Sequence, residues 1–439
     1  FLTQFPRAPP TIAPAFRNGV FCVMAPGLSG ARGASTSATR LVASITYRVD
    51  RQVPLLARRR PVALVLRPSG PAACGAAVGS GSGSRCALGL GAARHFSAER
   101  WPLPEAPGEL RGLVGASATE ELVPREAVLV DSPASADECL PDLLSARLLG
   151  VDCEGVALGR WGRLCLCQIS TTERVYLFDA LSEGVMDALC PVLQSPAVVK
   201  VMHDCREDAS AMLSQFGVEM VGVFDSQVAH TMLLQQRSTR PYQISLNELL
   251  KATLHVENDT ARRLGEAMRE DPNIWFYRPL QPHLVTYAAQ DVMYLPLLHR
   301  RLCDVLGDPS GGRVLANSRK YAEYARMNLH LRSPKAAERR GLRLQAMLAT
   351  QTETAMYLKL NLGAQRQGAV SRPEALANFR DLQFGDIADC WVSAWNPSGT
   401  ILFLERLQAG VGIPEPPTDF TSGKYGRRKG RRPRGAHED

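Results

Sequence analysis

The chain has 439 residues, enough for about two or three domains, and with 45% hydrophobic residues it can bury a full core. Its net charge of +8 is unevenly placed. Residues 1–98 hold twelve Arg and one acid and the stretch 424–439 holds seven basic residues and two acids, which leaves 8 − 11 − 5 = −8 for residues 99–423. The basic pI of about 9.0 therefore belongs to the ends and is poor support for nucleic-acid binding by the folded body. Eleven scattered Cys without paired CxxC motifs exclude a zinc ribbon or finger and fit buried free thiols in a reducing compartment. No apolar run reaches the length of a membrane span.

In chain order, residues 1–98 show no steady period and read as a disordered extension or as an organelle transit peptide, Arg- and Ser-rich and acid-poor. "ARHFSAER" resembles the end of a mitochondrial presequence. A transit peptide would send the chain to a mitochondrion or plastid; otherwise nucleus or cytoplasm is expected. The first residue is Phe1 and the first Met is Met24, so the sequence reads as a fragment or a translated gene model. Residues 99–125 read as a linker.

From Ala127 the texture changes. "AVLVDSPAS" reads as a strand running into a helix start, and "LLGVDCEGVAL", "RLCLCQIST" and "RVYLFDAL" read as three successive strands. Helices and strands then alternate: a helix at "EGVMDALCPVLQSP", a strand at "AVVKVMHD", a helix at "REDASAMLSQFG" ended by Gly217, then strand to helix at "VGVFDSQVAHTMLLQQ". "ISLNELLKATL" and "TARRLGEAMRE" are helical, and "QPHLVTYAAQDVMYLPLLHRRLCDVL" reads as one long helix. The pattern implies an α/β fold with a mixed sheet flanked by helices over residues 126–307. Residues 308–412 read as a helical extension, with "PKAAERRGLRLQAMLATQTETAMYLKLN" included, followed by a β-hairpin at 385–407 turning on Asn-Pro-Ser-Gly. Ala388, Cys390, Val392 and Ala394 should line the hairpin's inner face. The basic tail 413–439 is too charged and Gly-rich to fold. It suits phosphate contact or a nuclear import signal.

Asp152 and Glu154 lie two apart on the first of the three strands, so both carboxylates share one face. Such neighbours repel unless their charge is neutralised. Cleaving a phosphodiester with carboxylates requires two divalent metals about 4 Å apart, and hard Mg²⁺ or Mn²⁺ takes oxygen ligands. Further acids stand on suitable elements: Asp208 in the first turn of a helix after a strand, and Asp291 on a helix with Tyr287 four residues before it, on the same face.

This order, Asp152-x-Glu154, Asp204-x3-Asp208 and Tyr287-x3-Asp291, resembles the DEDD superfamily of 3′–5′ exonucleases in its Tyr-bearing branch. The alternative branch carries His where this chain has Thr286. "DCEGVALGRWGRLCLCQIS", "HDCREDA" and "WFYRPL" are similar to eukaryotic exonuclease 3′–5′ domain-containing proteins. The resemblance spans roughly residues 126–307. It implies an RNase H-like fold and a two-metal exonuclease using Mg²⁺ or Mn²⁺ and releasing nucleoside 5′-monophosphates. The substrate would be nucleic acid with a free 3′ end, RNA ahead of DNA. Asp152 would bridge the ions, Glu154 and Asp291 would complete the nucleophile-side site, Asp208 would hold the second ion, and Tyr287 would orient the attacking water. Cys153 stands where many members carry Thr and should point away from the ions. The rival reading is a catalytically weak nucleic-acid-binding scaffold of the same fold; a DNA proofreading or repair exonuclease is a third.

Other residues carry smaller expectations. His203 reads as a structural, hydrogen-bonding residue rather than as a metal ligand, since Mg²⁺ prefers oxygen, Asp225 as a helix cap, and Trp275 with Arg278 as packing and a structural ion pair. Asp204 suits either ordering of the site or a cap. Lys200 and Arg206 suit phosphate contact or a solvent-facing position. Trp391, Trp395 and Phe403 on the hairpin suit the core, or base stacking as in OB-like domains.

Overall fold

A computed structural model describes residues 99–114, 122–258, 260–363, 365–408, 410 and 412–413. The expectations for residues 1–98 and 414–439 lie outside these. A seven-stranded mixed sheet has the order β1-β2-β5-β4-β3-β6-β7. Its strands are β1 (Arg100–Pro102), β2 (Glu126–Val130), β3 (Leu148–Val156), β4 (Arg163–Ser170), β5 (Arg174–Asp179), β6 (Val199–Met202) and β7 (Val223–Asp225). β3, β4 and β5 are antiparallel neighbours, and β6 and β7 continue in parallel from β3. The stretch expected as a linker carries β1, which pairs antiparallel with β2, and helix α1 (Gly108–Val114).

Alternation along β3 assigns the two faces of the sheet. Val151 sits in the cross-strand row Val151–Ile169–Tyr176. Tyr176 Oη donates to Asp142 Oδ2 at 2.5 Å on helix α2 (Pro133–Ser145). α2 therefore covers the face opposite Asp152, with α3 (Val185–Leu193) packed beside it. The Asp152 face receives α8 (Pro282–Met293). Between these come α4 (Arg206–Ala211), which continues as a wide turn to Phe216 and stops at Gly217 with φ 70°, α5 (Ser226–Gln236), α6 (Leu246–Leu254) and α7 (Thr260–Glu270). The expected single helix over 282–306 is two, α8 and α9 (Leu295–Leu306). Pro296 in the first turn of α9 has no N–H for a continuing ladder and its ring crowds the preceding turn.

After α10 (Gly312–Glu323) the chain forms a closed five-stranded barrel, β10-β12-β11-β8-β9. Its strands are β8 (Arg343–Gln351), β9 (Met356–Lys359), β10 (Gln367–Val370), β11 (Ile387–Trp395) and β12 (Ile401–Arg406), with the short helix α11 (Pro373–Ala377) between β10 and β11. The helix expected over 334–361 is thus corrected to one short turn at Pro334–Ala337 and two strands. Ala, Leu, Gln and Met suit a helix, but Leu344, Ala346, Leu348 and then Met356, Leu358, Leu360 bury at a two-residue period in a separate barrel core. β11 and β12 form the expected hairpin, with Gly399 N donating to Asn396 O at 2.9 Å. Ala388, Cys390 and Val392 face the barrel core, whereas Ala394 is exposed. A register shift between Val392 and Ala394 reverses the alternation there. Among the described residues, no helix is long and apolar enough to cross a membrane.

Candidate active site

β3 and α8 meet closely because position 150 is glycine. A Cβ there would lie 2.4 Å from Ser170 Oγ and 2.7 Å from Val292 O, and Ser170 Oγ donates to that carbonyl at 2.8 Å. One helical turn of α8 thus sits against β3 two residues before Asp152. One carboxylate oxygen from each of Asp152, Glu154 and Asp291 lies within 4.8 Å of the other two, and all three residues are buried. Asp208, in the first turn of α4, is also buried but stands outside that group. Tyr287 is buried on α8 one turn before Asp291, and the fully buried Trp275 ring lies 6.2 Å from its ring.

Cys153 points to the other face, paired across the sheet with Cys167. Its thiol is held well above the ordinary value, first by its hydrogen bond with Cys167 and then by burial, so it is a neutral packing group. The eight described cysteines are free thiols, seven of them buried.

The surrounding residues divide into supports and spectators. Asp225 caps α5, accepting from Gln227 N at 2.8 Å and Val228 N at 3.4 Å, and its carboxylate also accepts from Asp204 N at 3.1 Å and Cys205 N at 2.8 Å. One carboxylate therefore starts α5 and shapes the turn into α4. His203 is hydrogen-bonded on both ring nitrogens, to Ser226 Oγ and Ile244 O, each at 2.9 Å, which bears out the structural reading. Asp204 adopts φ 57°, a conformation Asp tolerates better than most residues. Its carboxylate pairs with Arg206 at 2.5 and 2.7 Å. Burial pushes the Asp204 carboxyl up, but the adjacent Arg206 charge outweighs this and holds it below the carboxylate range. Asp204 does not cap α4.

Neither reading for Lys200 and Arg206 survives. Lys200 is fully buried and donates to Ser195 O at 2.7 Å and Val198 O at 2.8 Å; burial lowers its ammonium to about 8. Arg206 is equally buried, with its guanidinium 4.6 Å over the Tyr321 ring. Arg278 is structural as expected. It grips Asp179 with two bonds of 2.7 Å and donates to Trp275 O at 2.9 Å, holding the 274–278 segment, and so Trp275, beside Tyr287. Two site residues were missed in the sequence. Asn258 Nδ2 donates to Asp291 Oδ1 at 3.4 Å, while its Oδ1 accepts from Thr260 N at 3.2 Å to start α7. Gln168 lies directly across the ladder from Asp152, fully buried, with no hydrogen-bond partner for its amide among the described residues. Both are neutral amides, and the Asn-x-Thr at 258–260 resembling a cap was the available signal.

Three close, buried carboxylates offering hard oxygen donors fit a Mg²⁺- or Mn²⁺-class cation and no soft metal. This geometry on a mixed sheet flanked by helices is similar to that of 3′–5′ exonuclease domains of the DEDD type, RNase D-like. A family model described as 3′–5′ exonuclease matches residues 127–306. Among curated proteins, the piRNA biogenesis protein EXD1 of Mus musculus is 35% identical over 171 residues, covering 37% of this chain and 30% of that protein. Its Homo sapiens counterpart is 29% identical over 214 residues, covering 46% of this chain and 41% of that protein. A Trypanosoma brucei RNase D solved with RNA U12 is 29% identical over 48% of this chain and 74% of that one, with a TM-score of 0.42. The chain spans less than half the length of these curated relatives.

Proposed function

We propose that this chain is a metal-dependent exonuclease that shortens single-stranded nucleic acid from a free 3′ end, RNA ahead of DNA. The observation that carries the reading is the buried group Asp152, Glu154 and Asp291, with Tyr287 one turn from Asp291. RNA is favoured because the curated relatives include a ribonuclease D and exosome complex components.

Asp152, Glu154 and Asp291 would hold one divalent cation, and Asp208, set apart on α4, would hold a second with Asp152. When bound, two such ions neutralise the acids, acidify the attacking water and stabilise the departing 3′ oxygen. The chain's own residues do the rest. Asp291 and Tyr287 share one face of α8, so the phenol would orient the water that the acids flank. Hydroxide joins phosphorus, the P–O3′ bond breaks, and a proton goes to the 3′ oxygen. The products are a nucleoside 5′-monophosphate and a chain one residue shorter with a free 3′ hydroxyl.

The test is digestion of 3′-hydroxyl and 3′-blocked single-stranded RNA and DNA by the purified chain with Mn²⁺ or Mg²⁺, beside the Asp152→Ala/Asp291→Ala double variant. Stepwise shortening of free ends alone, faster on RNA and absent from the variant, is expected. Intact polymer with retained binding would leave the scaffold reading instead.

A further inference from the structure

The C-terminal barrel has a recognisable wiring. Its five strands close in the order first-second-third-fifth-fourth-first, the third and fifth pair in parallel, and the helix falls between the third and fourth. That is the wiring of an OB fold, which commonly binds oligonucleotides over its second and third strands. In this chain the neighbouring outer surface is already used. Met347 of β8 is buried in the main core, Ile387 of β11 packs against that core, and Lys359 of β9 pairs with Glu207 of α4 at 3.2 Å. A polymer on the barrel then runs outside this contact.

Such a surface is marked by charge. Arg332, Lys335, Arg339, Arg340 and Arg343 are all exposed within twelve residues, and none has a salt bridge to an acid among the described residues. The single acid of the stretch, Glu338, is engaged by Arg366 at 2.7 Å. This local excess of positive charge stands on a body, residues 99–423, whose net charge is −8. The segment is fixed at both ends. Before it, Arg160 of the turn after β3 donates to Asn328 O, Leu329 O and Leu331 O at 2.8, 3.0 and 2.8 Å, with Trp161 36% exposed beneath the guanidinium. After it, Gly341 N donates to Val392 O at 2.8 Å, and Arg343 pairs with Trp391. A basic ribbon thus leads from the turn that follows the catalytic strand to the Arg343–Trp391 end of the β8–β11 pair, the end opposite Met347 and Ile387; further along β11, Trp395 is 39% exposed.

We propose that this ribbon is the track for the single-stranded polymer upstream of the scissile nucleotide. The role rests on the exonuclease reading, since a chain with its 3′ end at Asp152 must leave over the surface in the 5′ direction. Evenly exposed cations suit backbone phosphates without sequence preference, and Trp395 offers a face for one base.

The test needs no cleavage. The full chain in EDTA is titrated into a 3′-blocked single-stranded oligomer of about 20 nucleotides, long enough to leave the site, over a range of salt. Arg339→Gln/Arg340→Gln/Arg343→Gln should lower the slope of log affinity against log salt by about 2, from about 0.7 for each phosphate no longer neutralised, and the triple Lys variant should restore it. Trp395→Ala should weaken binding and leave the slope unchanged. Melting curves identify any variant that misfolds, and Arg340→Gln alone then serves as the readout, with a slope change of about 0.7. An unchanged slope in a folded variant overturns the track and points the ribbon at an acidic protein. A track that behaves as described in a chain that cuts nothing would sink the exonuclease reading alone.

Discussion

Asn258 does two jobs with one amide. Its oxygen starts α7 and its nitrogen reaches Asp291. Serine keeps the cap but is too short to reach Asp291 as well. Asn258→Ser should therefore melt within about 0.5 kcal/mol of the parent, whereas Asn258→Ala should be destabilised by about 1 kcal/mol. Both should release nucleotide several-fold more slowly at saturating substrate. Thermal melting with single-nucleotide release kinetics measures this; parental turnover in the Ser variant would confine Asn258 to capping. The acids were legible because an Asp-x-Glu on a strand and a Tyr four residues before an Asp on a helix carry spacing as well as type. A lone amide carries none. Lys200 and Arg206 misled for a related reason: local sequence shows a charge but not the carbonyls and carboxylate that let it be buried.

At the scale of elements, α4 is the informative case, because the helix bearing Asp208 is held from outside the sheet. Glu207 accepts from Tyr324 Oη at 2.9 Å and pairs with Lys359. Ser210 Oγ donates to Asn361 Oδ1 at 2.6 Å, and Asn361 Nδ2 donates to Ala325 O at 3.0 Å and Met327 O at 3.1 Å. Asn361 is fully buried at φ 52°, which Asn accepts more readily than Ala. Asn361→Ala removes all three side-chain bonds and should cost about 2–3 kcal/mol. Because the change loosens α4, it should also raise the Mn²⁺ concentration for half-maximal digestion. Melting curves and Mn²⁺ titrations of the variant beside the parent separate the two effects. Lower melting with unchanged Mn²⁺ dependence would make Asn361 a stability residue only. The sequence shows α4 and its acid plainly, since a strand, a turn and a Gly-stopped helix are local signals. It does not show the clamp, whose partners lie more than a hundred residues away.

Across the whole molecule, the same distance explains why the sheet was legible and the barrel was not. The three antiparallel strands β3, β4 and β5 are joined by short turns, and their alternation announces itself. Barrel closure depends on β10 lying parallel to β12 and on β8 reaching past β9 to β11, pairings that no short window contains, and β8 and β9 are built of helix-forming residues. The two cores are nevertheless stitched together. Met347 belongs to the main core although it stands on a barrel strand, Ser210 Oγ of α4 donates at 2.6 Å to Asn361 Oδ1, which lies between the barrel-core residues Leu360 and Leu362, and Arg160 fastens the 328–331 segment to the turn after β3. Shared burial of this kind favours a single cooperative transition over sequential unfolding of two domains. Trp391 and Trp395 report on the barrel once Trp101, Trp161 and Trp275 are changed to Phe. Their fluorescence in urea should then fall at the same midpoint as the far-ultraviolet dichroism, which is dominated by the sheet and its helices. An earlier midpoint for the two tryptophans would show the barrel unfolding on its own. It would also remove the physical ground for coupling it to Asp208, because a module that melts while the sheet stands cannot be what holds α4.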